Sequence, residues 1–178
     1  MDAYSGKMFD LMNEQGVVER HFQPEFEFNT SDLVVKFARS KGVSWKEMDE
    51  YTKNIYDFAM IVRDIESQNN PKAVHDISTA SGVYQFLVDS IPVARRRALN
   101  IGVQQDVLDE IPEDPTIWTN DQADLLFMAN ILGQRGSDWY IHQIGVGNSE
   151  AGIETYYKFH HTNPGRKTRE RAVKYFKK

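Results

Sequence analysis

No cysteine occurs among the 178 residues, so neither a disulfide framework nor a thiolate metal site is open to this chain. No apolar run approaches the roughly 20 residues needed to span a bilayer. The opening residues, Met1-Asp2-Ala3-Tyr4-Ser5-Gly6-Lys7, lack the basic-then-apolar pattern of a signal peptide. Any exit from a cytoplasm is therefore expected to depend on something else, such as a holin, a virion or cell lysis. Net charge is small, −5, which argues against general nucleic-acid binding. The basic residues are unevenly placed, with seven between Arg166 and Lys178 opposed only by Glu170. The five histidines (21, 75, 142, 160 and 161) include no i, i+4 ligand pair, and no Gly-x-Ser-x-Gly elbow is present. Neither a metal nor a cofactor is expected.

Against these absences stand 40% hydrophobic and 12% aromatic residues, enough for a genuine core in one domain. Helical periodicity dominates. Met8, Phe9, Leu11 and Met12 predict a short amphipathic helix within residues 4–18, and Leu33, Val34, Phe37 and Ala38 predict another, ended by Gly42. Ser44-Trp45-Lys46-Glu47 matches a capping box. Behind it Tyr51, Ile55, Phe58, Ala59 and Val62 fall on one face of a 3.6-residue helix, and Glu66 continues that face. Gln68-Asn69-Asn70 and Pro71 then break the helix. Residues 75–90 suit a loop or short hairpin. Pro92 starts a helix in which Arg95-Arg96-Arg97 is expected to be the solvated face, and Thr119 caps a second apolar helix through Ile131. The expected division is an N-terminal helical extension or docking arm over 1–43, a main domain over 44–165 and a basic helix over 166–178.

A glutamate that ends an apolar helix face is partly desolvated, which raises its pKa and suits a general acid. The same residue is also placed to pair with Arg63, three positions earlier, on an ordinary surface. The helix pattern alone leaves both open.

The wider pattern narrows the choice. Glu66-Ser67, Asn70-Pro71-Lys72-Ala73-Val74 and Gly82-Val83-Tyr84-Gln85-Phe86 together resemble the signature of lysozyme-like lytic transglycosylases, in the superfamily that includes goose-type lysozymes. Asp138-Trp139-Tyr140-Ile141-His142-Gln143-Ile144-Gly145 is similar to a later segment of its phage-type members, with Gln143 a departure. The resemblance covers about residues 50–161. It implies an α+β, predominantly helical, lysozyme-like domain with a small hairpin or loop beside the catalytic helix.

For function, the resemblance implies cleavage of the MurNAc–GlcNAc β-1,4 bond of peptidoglycan, with Glu66 as acid and then base. Ser67 would touch substrate or orient Glu66. Gln85 would bind an N-acetyl group with Tyr84 beside it, His142 would hydrogen-bond Glu66, and Tyr140 would form part of the wall. Residues 75–80 lengthen the usual pattern and bring in Asp76. Asp76 or Asp89 as a second carboxylate would make the chain a hydrolytic muramidase instead. A third alternative is a structural virion component that keeps the fold. The implied partners are peptidoglycan strands, and other virion proteins through 1–43 or 166–178. The implied locations are a phage virion or, after release, the bacterial periplasm.

Overall fold

The computed structural model describes residues 6–12 and 18–24 as backbone, and residues 30–177 in full. Gly6–Met12 (β1) and Val18–Pro24 (β2) pair antiparallel, Met8 opposite Phe22 and Met12 opposite Val18. This corrects the helix expected within residues 4–18. Apolar residues at 8, 9, 11 and 12 fit one helix face, but the pairing partner lies outside any local window.

The remaining elements are helical: α1 (Thr30–Ser40), α2 (Met48–Ser67), α3 (Ile91–Asn100), α4 (Gln105–Asp109), α5 (Asn120–Leu132), α6 (Ser137–Gly145), α7 (Ser149–Thr155) and α8 (Arg166–Phe176). The fold is thus predominantly helical. At its centre lies α5, in which Ala123 and every residue from Leu125 to Ile131 are buried. A helix apolar on all sides must be surrounded, and α1, α2, α3 and α6 pack round it. Thr119 caps it, accepting from the Gln122 backbone N–H while the Gln122 side chain accepts from Thr119 N.

The longest helix is α2, 20 residues or about 30 Å. Tyr51, Ile55, Phe58, Ala59 and Val62 are buried on it as their spacing predicts. Ser44 and Glu47 do not cap it. The Glu47 carboxylate accepts from Ser44 N and Oγ, closing a turn just before the helix begins. Its other end is sharper. Gln68 and Asn69 both take left-handed backbone (φ 55 and 60), returning their N–H groups to Asp64 O and Arg63 O.

Leu33, Val34 and Ala38 of α1 and Ala172 of α8 lie in the same hydrophobic core as α2 and α5. Residues 30–43 and α8 are thus continuous with the body, without a core boundary at 43/44 or 165/166. Beside the end of α2 no paired strands form. Residues 73–86 make a loop closed by two isolated bridges, Val74 with Ser81 and Ser81 with Phe86. Gly82 takes φ +76 there, and a Cβ on it would come 2.8 Å from Pro115 O, so the turn is closed to larger residues.

Arg96 of the arginine run expected to be solvated is exposed, but Arg95 is half-buried. It donates to the carbonyls of Leu108, Ile111 and Pro112, tying the α4 region to α3. No helix among the described residues is long and apolar enough to cross a membrane.

Candidate active site

Glu66 ends the buried face of α2, and its side chain is only 7% exposed. Arg63 does not pair with it. That guanidinium turns into the protein, donating to Asn69, Asn120 and Asp124. Glu66 is instead gripped from the far end of the chain. Tyr156 Oη donates to Glu66 Oε1 at 2.7 Å, His161 Nδ1 stands 3.0 Å from the same oxygen, and His160 Nε2 stands 3.7 Å away. The single phenol hydrogen of Tyr156 goes to Glu66, so His161 Nδ1, 3.2 Å from the phenol oxygen, must carry its own hydrogen. His160 Nε2 has a closer partner, Tyr84 O at 3.0 Å.

A local change of helix pitch makes this grip possible. Residues Tyr156–His160 form a π-helical turn, closed by His161 N donating to Tyr156 O at 2.9 Å. In an α-helix, positions 156 and 161 point well apart, whereas i→i+5 closure stacks one over the other. Both side chains therefore reach one carboxylate oxygen. Among the described residues, no group of three or more histidines and carboxylates is arranged to hold a metal ion.

Glu66 Oε2 accepts none of these bonds. Because no buried side-chain oxygen among the described residues lacks a partner, Oε2 must be reached from outside. It opens into a cavity of about 390 Å³ that Gln85, His160 and His161 also line. Gln85 sits in left-handed backbone (φ 51), a costly position for a residue with a side chain. Its Nε2 donates to Gly82 O and Ala73 O, which fixes the amide and leaves Oε1 as a free acceptor.

Burial alone would raise the Glu66 carboxyl. The bond from His161, the charge of His160 and the bond from Tyr156 outweigh it, and the carboxyl settles below its ordinary value. This reverses the raised value expected of a desolvated helix-end glutamate. The His160 contribution exists only while that ring is charged, and burial holds His160 itself below the ordinary histidine value. The direct bonds to Oε1 are thus the lasting part. A carboxyl depressed in this way stabilises the folded chain above the unfolded carboxylate value. That contribution is lost as pH falls through the folded value.

Compared with protein-family models, curated proteins and solved structures, the chain matches none of them significantly. The site must stand on its geometry.

Of the site residues singled out in the sequence, Glu66 and Gln85 line the same cavity. Ser67 is a structural pin, donating through Oγ to Val83 O (2.8 Å) and Arg63 O (3.1 Å). Tyr84 is core, stacked on Phe127 at 4.0 Å with its hydroxyl given to Asp124 at 2.6 Å. His142 does not reach Glu66. Its Nδ1 meets Tyr51 Oη at 3.1 Å, fifteen residues back along α2 or about 22 Å away. There Gly145 packs against the Tyr51 ring, so closely that a Cβ would stand 2.3 Å from it. Tyr140 lies outside the cavity too, accepting from Lys158 Nζ and edging onto Phe159. Asp76 and Asp89 are exposed and do not line the cavity.

The residues that hold Glu66, namely Tyr156, His160 and His161, were not anticipated as site residues. A paired His-His after an aromatic helix was the available signal, but only the π-turn gives it meaning.

Proposed function

We propose that this chain is a lysozyme-like lytic transglycosylase that cleaves the MurNAc–GlcNAc bond of peptidoglycan, with Glu66 as its acid and base. The observation that carries this reading is the division of labour in one carboxylate. Oε1 is fixed by the protein, and Oε2 is free in a cavity that also presents the Gln85 Oε1 acceptor. In the proposed reaction Glu66 gives its proton to the glycosidic oxygen as the C1–O bond breaks. The muramyl 6-hydroxyl then closes on C1 and returns its proton to Glu66. No water is consumed, and a 1,6-anhydro ring results. Gln85 Oε1 accepts from an acetamido N–H.

A hydrolase of the inverting kind needs a second carboxylate roughly 6.5–9.5 Å from the first. With Asp76 and Asp89 outside the cavity, the one-carboxylate route is favoured. Mass spectrometry of purified sacculi digested by the chain is expected to find anhydro-muropeptides; reducing ends in their place would overturn the transglycosylase assignment. Release from a phage virion or as an endolysin fits a peptidoglycan substrate, and this setting belongs to the same proposal.

The depressed Glu66 carboxyl gives the reaction a pH signature. The acid step needs a protonated Glu66, so kcat/KM falls as pH rises through its pKa. Tyr156→Phe removes a hydrogen bond that favours the charged form. The expected outcome is a descending limb moved to higher pH, read from a rate profile on soluble glycan. An unmoved limb would show that Tyr156 does not tune this carboxyl.

A further inference from the structure

The wall of the Glu66 cavity contributed by α8 and α5 is built from donors without acceptors. Arg171 and Thr168 line the cavity, three residues apart on one face of α8. Arg171 is half-buried, yet no carboxylate or carbonyl among the described residues receives its guanidinium. The two other arginines of this helix behave differently. Arg166 is paired with Glu170, and Arg169 donates to Pro164 O.

Asn130 stands in the same cavity and is 8% exposed. Its Oδ1 accepts from Arg97 Nη1 at 2.6 Å. An arginine can only donate, so this bond settles which way the amide faces. Nδ2 is left with its two hydrogens and no protein partner, and it is not sealed from solvent. A guanidinium, an amide N–H₂ and a hydroxyl thus border one partly enclosed space, where Glu66, the one carboxylate among the described lining residues, is already gripped by Tyr156 and His161.

We propose that Arg171, with Thr168 and Asn130, forms a carboxylate-binding subsite, so that the cavity selects glycans bearing a carboxylate over neutral ones. The idea rests on the function proposed above and specifies its substrate. A chain of N-acetylglucosamine carries no acid, whereas a muramyl unit carries one either on its lactyl group or on an attached stem peptide. Both sources offer the same planar, two-oxygen anion, which matches an arginine fork. Hydrogen bonds to a charged group are individually strong enough for a preference of roughly ten- to a hundred-fold.

Calorimetric titration of the intact chain tests this with three ligands: chitotetraose, the alternating GlcNAc–MurNAc tetrasaccharide with free lactyl groups, and the same tetrasaccharide carrying stem peptides. Both acidic ligands, or whichever one supplies the recognised carboxylate, are expected to bind at least about tenfold tighter than chitotetraose. Comparison of the two acidic ligands identifies the source. Arg171→Gln should abolish that difference, and Arg171→Lys should keep part of it. Equal affinity for all three ligands in the unaltered chain, or no binding of any, overturns the proposal. Discrimination that survives in Arg171→Gln overturns it as well. The two readings also separate from one another. If Glu66→Gln remains fully lytic, the catalytic reading fails while the carboxylate preference at Arg171 is judged by titration alone. If Glu66→Gln is inactive but Arg171→Gln still discriminates, only the subsite fails.

Discussion

Glu66→Gln is expected to lower sacculus lysis by about 10²- to 10⁴-fold, the range that a positioned acid–base group supplies. The substitution is nearly isosteric, and the amide oxygen can still accept from Tyr156, now 2.7 Å from Glu66 Oε1. What it removes is a transferable proton. Folding should survive, because the amide oxygen keeps the bonds from Tyr156 and His161, and only the stabilisation drawn from the depressed carboxyl is lost. Loss of lysis with an unaltered circular dichroism spectrum and at most a modest fall in melting point is therefore the expected pair of results. Turbidity loss at the parent rate would sink the assignment of Glu66. If the unaltered chain shows no lysis and instead binds a virion protein tightly, the fold serves as a structural part rather than a catalyst.

Local regularity explains which parts of this picture were legible in the sequence. The buried face of α2 follows from residue spacing alone, and its end follows from Gln68, Asn69 and Pro71. Glu66 stood out because it continued that face up to the break. Gln85 came from a motif, and the structure places it in left-handed backbone on the wall of the cavity that Glu66 also lines. The larger failures are non-local. β1 was misjudged because its partner strand is set by pairing, and His142 because order along the chain does not say which end of α2 a later helix meets. Tyr156 and His161 lie 90 and 95 residues from Glu66 and converge only through a change of helical pitch. Burial also misled the charge argument. It does push Glu66 upward, but three partners invisible in the sequence pull harder.

The largest stability effect is expected behind the site, at Asp124. Its carboxylate meets Arg63 Nη1 at 3.2 Å and takes the Tyr84 hydroxyl at 2.6 Å, with the two charged side chains 5% (Arg63) and 15% (Asp124) exposed. Burial pushes the Asp124 carboxyl up, and the bond from Tyr84 and the charge of Arg63 do not fully offset it. Such a pair adds little net stability, yet removing one member strands the other. Asp124→Ala should thus cost about 3–5 kcal/mol, because Arg63 stays buried with only Asn69 and Asn120 for company. For a chain of this length that lowers the melting temperature by roughly 6–20 °C. Replacing both partners, Arg63→Met with Asp124→Leu, should recover most of the loss, since no charge is then stranded. Thermal melts of the two variants decide the matter, and a double variant no more stable than Asp124→Ala would show that packing, not charge, was lost. The effect should also reach the cavity. Tyr84 is next to Gln85, and its carbonyl holds His160, so a loosened Tyr84 lets both drift. At temperatures where Asp124→Ala is still folded, its affinity for glycan should therefore fall, while the double variant, whose Tyr84 hydroxyl also lacks its acceptor, should recover stability more completely than affinity.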